Sequence, residues 1–376
     1  MPDKHAIVST SSSGIWKVCT PSVRLGLTVP EEDRSAYAEE GTKAHSICEA
    51  KLKKLLGIRT RVPKAPDPEM DVCTTEYRDF VEEEWNSLKA ETPDADLYIE
   101  QMLDLSDWIP EGFGTSDAVV VSDTKLVVID FKYGKGVMVN AEDNSQLRLY
   151  ALGAWKKFGI MYDFSTVKTI IFQPRLGNIS SEELALADLL EWGETYIKPK
   201  AQLAYDGEGE FVVGEHCRFC RAGAVCRARA EQAFQIINHD KVEPPLLSDE
   251  EIPPILDKLD STEAWITAIR AYAKNKAINE GVKWEGYKLV EGRTQRKITD
   301  QVKALEAIEA AGFDAEEVTT LKLKGLTDLE RIMTKAKFNE VLGAYVVKPK
   351  GEPTLVKEDD KRPEYNPVEE AFKEEI

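Results

Sequence analysis

Basic residues are in short supply: 49 Lys and Arg stand against 67 Asp and Glu, a formal net charge of −18. Affinity for phosphates comes mainly from Lys and Arg, so this deficit counts against a protein that merely coats nucleic acid. It does not count against an enzyme whose metal needs carboxylates and whose substrate needs only a local basic channel. Long apolar runs are missing as well; none approaches the roughly 18 residues that span a bilayer. The opening Met1-Pro2-Asp3-Lys4-His5 has no basic stretch leading into an apolar one. A cytoplasmic protein without membrane partners is expected. There is no Gly-x4-Gly-Lys-Ser/Thr loop, which excludes a helicase motor on this chain, and no internal repeat. Histidine occurs only four times and cysteine six times. In the cytosol such cysteines are not expected to form structural disulfides; three are grouped, which points to metal or cluster ligation.

Along the chain, residues 1–30 are rich in Ser and Thr, with a short helix expected around Trp16. Helical patterns follow from Glu31 to about Leu56, ending near Gly57, and from about Asp71 to Lys89. Leu97–Leu105, Ser116–Ser122 and Leu126–Lys132 read as strands, the last two joined by Ser122-Asp123-Thr124-Lys125. A helix is expected from about Asn144 to Phe158, a strand over Thr166–Gln173 and a helix from Ser181 to Ile197. This order predicts an α/β fold, a mixed sheet flanked by helices, over residues 1–240. Pro244-Pro245 reads as a linker. A smaller α+β accessory region follows over 241–350, with helices near 262–279, 300–311 and 327–342 and a hairpin over Trp284–Ile298. Residues 351–376, with nine acidic and four basic residues, read as a flexible acidic tail.

The segment with most chemistry is Gly114-Thr115-Ser116-Asp117, followed thirteen residues later by Asp130-Phe131-Lys132. Alternate residues of a strand share a face, so Asp130 and Lys132 project together, and Asp117 can meet them from the neighbouring strand. Two carboxylates and an amine at one spot suit phosphodiester hydrolysis assisted by an oxygen-seeking Mg²⁺ or Mn²⁺. Alone, Asp-x-Lys is also what a strand end with solvated charges looks like. Upstream, Gly41-Thr42-Lys43-Ala44-His45 places a histidine on the first long helix. Glu100 interrupts an apolar strand, where an unpartnered carboxylate is costly. Downstream, Gln146 and Tyr150 share a helix face.

Taken in order, Gly41-x3-His45, Glu100, Gly114-x2-Asp117, Asp130-x-Lys132 and Gln146-x3-Tyr150 resemble the RecB-type branch of the PD-(D/E)XK nucleases. That resemblance implies a metal held by His45, Asp117, Asp130 and the Phe131 carbonyl. It further implies catalysis by Asp117, Asp130 and Lys132, with Glu100 as a less constant family carboxylate, and DNA contacts from Gln146 and Tyr150. The expected activity is a Mg²⁺- or Mn²⁺-dependent deoxyribonuclease, an exonuclease acting on single-stranded DNA or duplex ends.

Cys217-x2-Cys220-x5-Cys226, with Cys19 far upstream, resembles the iron–sulfur nucleases of the AddB type and the CRISPR-associated exonucleases. The resemblance implies a [4Fe–4S] cluster tying together the two ends of the nuclease fold. Four thiolates also suit Zn²⁺, and His216 is a competing ligand to Cys19. Arg218, Arg221, Arg227 and Arg229 are candidates for a DNA channel or a solvated face, and Cys48 and Cys73 for ordinary buried positions. Ser11-Ser12-Ser13, Trp16, Cys19-x-Pro21-Ser22, Gly286-Tyr287-Lys288-Leu289 and Gly351-x-Pro353-x-Leu355-Val356 resemble a family of largely uncharacterised phage and prophage proteins. That implies a role in phage DNA replication or recombination, beside the proteins that carry these out, in the host cytoplasm. The alternative expectation is a non-catalytic protein that binds DNA ends or a replication partner through a metal-stapled fold.

Overall fold

The computed structural model describes residues 6–30, 36–237 and 252–287. The expected helices near 300–311 and 327–342, nearly all of the 284–298 hairpin and the acidic tail lie outside these residues. Contacts divide the chain into two units, Met1–Val290 and Glu291–Ile376, and every described residue belongs to the first.

The described helices are α1 (Ser13–Trp16), α2 (Ser22–Leu27), α3 (Ala36–Leu55), α4 (Pro68–Glu91), α5 (Ser145–Phe158), α6 (Leu186–Trp192), α7 (Lys198–Asp206), α8 (Arg227–Ile237) and α9 (Ile252–Asn279). The strands are β1 (Asp96–Asp104), β2 (Phe113–Val121), β3 (Lys125–Phe131), β4 (Thr166–Gln173) and β5 (Asn178–Ala185). They form one mixed sheet in the order β1-β2-β3-β4-β5. Only β3 and β4 run parallel, and the crossover that a parallel pair requires is α5.

Local chemistry explains the helix boundaries. Asp67 caps α4 by accepting from the Met70 amide at 2.8 Å, with Pro68 at the first helical position. Asn144 caps α5, accepting from the Gln146 and Leu147 amides at 3.1 and 3.2 Å. The α3 residues Ala44, Ile47, Cys48 and Leu52 recur at helical spacing and are buried with Met70, Cys73 and Tyr77 of α4 on one face of the sheet. On the other face α5 buries Leu147, Tyr150, Ala151 and Ala154 against Val119, Val121, Leu126 and Val128. The sheet is therefore a middle layer with apolar side chains on both faces. Cys48 and Cys73 are buried in this core, as expected.

α2, α7 and α8 were not expected, α9 begins ten residues before the expected 262, and the expected helix over Ser181–Ile197 begins as a strand. Residues 178–185 form an edge strand antiparallel to β4, with Ile171 opposite Ser180 and Thr169 opposite Glu182. Ser181-x-x-Leu184 followed by good helix formers mimics a helix start. The alternating burial of β5 is set by the neighbouring strand, which local propensity does not register. The helix begins only at Leu186.

Candidate functional site

The sheet changes its facing where the expected site lies. Leu97 and Ile99 of β1 pack in the cluster under α3 and α4, whereas Leu103, and Leu105 just beyond the strand, pack under α5. All four are odd-numbered, so the alternation of side chains has shifted by one between Ile99 and Leu103. The shift falls at Glu100, a non-glycine residue at φ +49°. In β2 the same change occurs opposite: Ala118 and Val120 face α3 and α4, while at Gly114 a Cβ would stand 2.8 Å from Tyr150 of α5. The flanking pairs Ile99–Ala118 and Gln101–Ser116 leave Glu100 opposite Asp117.

Asp117 also stands where β2 leaves β3. Their pairing stops at Ala118–Ile129, and beyond it the Phe131 amide donates to Asp117 Oδ2 at 2.8 Å. The carboxylate thus takes over from the ladder and opens a fork between the strands. Its other oxygen, Oδ1, lies 3.1 Å from His45 Nδ1. Ligand atoms of His45, Glu100 and Asp117 all fall within 4.8 Å of one another. Across the fork, Asp130 is buried and its Oδ2 pairs with Lys132 Nζ at 2.9 Å. Lys132 Nζ donates to Gln146 Oε1 at 3.1 Å, and Gln146 Nε2 donates to the Tyr150 hydroxyl at 3.0 Å.

Burial and mutual charge shape the protonation of this group. Burial works against the charged form of His45, but Asp117 outweighs it and raises the imidazole to about 9. Burial would push Asp117 up, and His45, the Phe131 amide and Lys132 bring it below the usual carboxylate range. Glu100 is raised to about 7 by burial and by Asp117 and Glu49. Asp130 is raised by burial and by Asp117 against the pull of Lys132. The Lys132 ammonium is disfavoured by burial, but Asp130 holds it charged. A carboxylate-rich, part-buried cluster with one member in a strained backbone conformation is chemically suited to a divalent cation.

All seven side chains singled out in the sequence thus meet. The trio with the tightest ligand spacing contains Glu100; Asp130 stands on the lysine side of the fork. Tyr150 is 6% exposed, and its hydroxyl is engaged by Gln146 and by Thr10, so it reaches the site through Gln146. Thr10 was not foreseen. It sits in the Ser/Thr-rich opening, whose composition carries no periodicity, and a 3-10 turn over Thr10–Ser12 brings it to α5.

The second centre joins distant segments. Cys19, Cys217, Cys220 and Cys226 line a single pocket with His216, Ile15, Leu25 and Phe211, and none is in a disulfide. Among the described residues, His45, Glu100 and Asp117 are the one trio of His, Cys, Asp or Glu with ligand atoms within 4.8 Å. His216 bonds to Cys19 and Cys217 and is raised to about 10 by them, and it lowers the Cys217 thiol against burial. At Gly223 a Cβ would stand 2.7 Å from the Cys217 carbonyl oxygen, so the turn between Cys220 and Cys226 requires glycine. Arg229 is not a channel residue: it is 3% exposed and donates to the Cys217 and Gly223 carbonyls at 3.3 and 3.2 Å. Arg221 is turned to the Val29 carbonyl, and Arg218 lies over the Phe219 ring at 5.7 Å.

A family model described as "Protein of unknown function (DUF2800)" matches residues 5–363. A solved structure titled "Crystal structure of SSO0001" matches at 12% identity over 56% of this chain and 95% of the other, with a TM-score of 0.20. Among the described residues no helix is long and apolar enough to cross a membrane.

Proposed function

The chain belongs to the DUF2800 family of proteins of unknown function, and for this member we propose a metal-dependent DNA nuclease of the PD-(D/E)XK type, acting on strand ends. The observation that carries the reading is the fork at Asp117. His45, Glu100 and Asp117 converge on one side of it, and the Asp130–Lys132 pair stands on the other.

His45, Glu100, Asp117 and Asp130, with the Phe131 carbonyl as a further donor, would hold Mg²⁺ or Mn²⁺. When bound, the cation polarises the scissile phosphate and eases deprotonation of the attacking water. In the hydrolysis, a water oxygen bonds to phosphorus, the ester P–O bond breaks, and the departing oxygen takes up a proton. Lys132 is held as an ammonium by Asp130, so its part is to orient the water and offset charge growing on the phosphate oxygens. Gln146, bonded to Lys132, is placed to meet the DNA backbone, while Tyr150 and Thr10 hold Gln146 in position. The four cysteines around one pocket support a [4Fe–4S] cluster, with Zn²⁺ as the alternative. A part in phage DNA replication or recombination is the biological setting proposed.

End-labelled single- and double-stranded DNA, incubated with the purified protein in Mn²⁺ or EDTA, tests the reading. Metal-dependent shortening that Lys132→Ala reduces by at least about 10²-fold supports it. Binding of DNA ends with no cleavage in any metal would instead favour a non-catalytic end-binding protein.

A further inference from the structure

The loop from β3 to α5 begins at Lys132 and ends at the cap of the helix carrying Gln146. Those two side chains are 3.1 Å apart, so the loop closes directly beside the proposed cleavage site. Its tip, residues 134–138, is exposed throughout. It carries Lys135 and two apolar side chains turned to solvent, Val137 at 40% and Met138 at 59% exposure.

The base of this loop is fixed. Gln173, 1% exposed at the end of β4, donates to the Gly134 and Val137 carbonyls at 2.7 and 2.9 Å. Its Oε1 accepts from the Val139 amide at 3.1 Å. Alternate residues of β5 continue the clamp: Asn178 donates to the Val139 carbonyl, Ser180 accepts from the Ala141 amide, and Glu182 accepts from the Asp143 amide. A buried amide with both ends satisfied holds backbone far more firmly than solvent does. Backbone held on such a base gives up little further freedom when something packs on the two apolar side chains it carries.

We propose that Val137 and Met138 form a rim on which the unstacked terminal base of a DNA strand packs, with Lys135 on the adjoining phosphate and Gln173 as the positioning residue that sets the rim. This rests on the nuclease reading above. The occupant follows from position and charge. The rim stands on the loop that joins Lys132 to the helix of Gln146, it carries a cation, and an extruded base packs between aromatic or apolar side chains.

The test uses the full chain in EDTA and a single-stranded oligonucleotide with 2-aminopurine at its terminal base. Wild-type binding should brighten the probe as the base leaves its stack. In the Val137→Ser/Met138→Ser double variant the brightening should vanish. Kd should rise severalfold. With Mn²⁺, KM should rise while kcat holds. Lys135→Ala should make the slope of log affinity against log salt shallower by about 0.7. Gln173→Ala should raise KM in the same way, whereas a merely structural role would leave KM unchanged in the folded fraction. A wild-type protein that cleaves DNA while the double variant keeps its Kd and fluorescence overturns the rim alone. A wild-type protein that neither binds nor cleaves DNA overturns the rim and the nuclease reading together.

Discussion

Glu100 holds a backbone conformation, φ +49°, that costs a non-glycine residue of the order of 1–3 kcal/mol. That strain turns its carboxylate towards Asp117 and His45. Since burial and Asp117 raise it to about 7, the metal-free native state binds more protons than the unfolded chain between about 4.5 and 7. Its stability should therefore fall as pH rises through that window. Urea titrations in EDTA at pH 5 and pH 8 should show this fall, and Glu100→Gln should flatten it; an unchanged slope in the variant would separate Glu100 from the cluster. At Asp130 two readings diverge. As a metal ligand crowded by Asp117, its replacement by Asn should abolish the stabilisation that Mn²⁺ gives and change metal-free stability by less than about 1 kcal/mol. As half of a structural pair with Lys132, its loss should cost roughly 3–5 kcal/mol. Melting curves with and without Mn²⁺ decide between them. The identities of these residues were legible in the sequence because their order and spacing are. That Glu100 bends the strand was not, since no neighbouring glycine, proline or turn residue announces it.

At the scale of elements, α5 carries the apposition of site and scaffold. It approaches β1 so closely that a Cβ on Gly153 would stand 2.8 Å from the Leu103 Cβ and 3.2 Å from Leu105 Cδ2. Gly153→Val should thus cost about 1–3 kcal/mol by overpacking, read as a lowered denaturation midpoint. By shifting the helix it should also displace Gln146 from Lys132 and depress cleavage more than the folded fraction alone explains. Four of the five strands could be read from the sequence, because they are apolar runs bounded by turns. β5 could not: its inward positions are Asn178, Ser180, Glu182 and Leu184, and three of these serve the β3–α5 loop rather than the core. A polar strand defined by what it clamps leaves no hydrophobic period to find.

For the whole molecule, the cysteine pocket joins the N-terminal segment to residues near 220. Thr20 Oγ1 donates to the Glu208 carbonyl at 2.5 Å, and Lys200 Nζ to the Lys17 carbonyl at 2.6 Å, so the segment is also stitched to α7 and its exit. Protein purified without oxygen should carry about four irons per chain. Cys217→Ala should lose the iron and melt earlier; stoichiometric zinc in place of iron would overturn the cluster assignment. The motif Cys217-x2-Cys220-x5-Cys226 made three of the four pocket cysteines legible as a group. Cys19 could be tied to them only through resemblance, because nothing in its local sequence points to partners some two hundred residues away. That separation has a consequence in time. A ribosome adding roughly 5–20 residues per second needs about 10–40 s after making Cys19 to deliver Cys217. α5 and α7 are made part-way through that interval, but Cys19 has no cysteine partner around the pocket until it ends. Cys19 is thus joined to its pocket long after it is made, and its thiol must stay reduced while it waits.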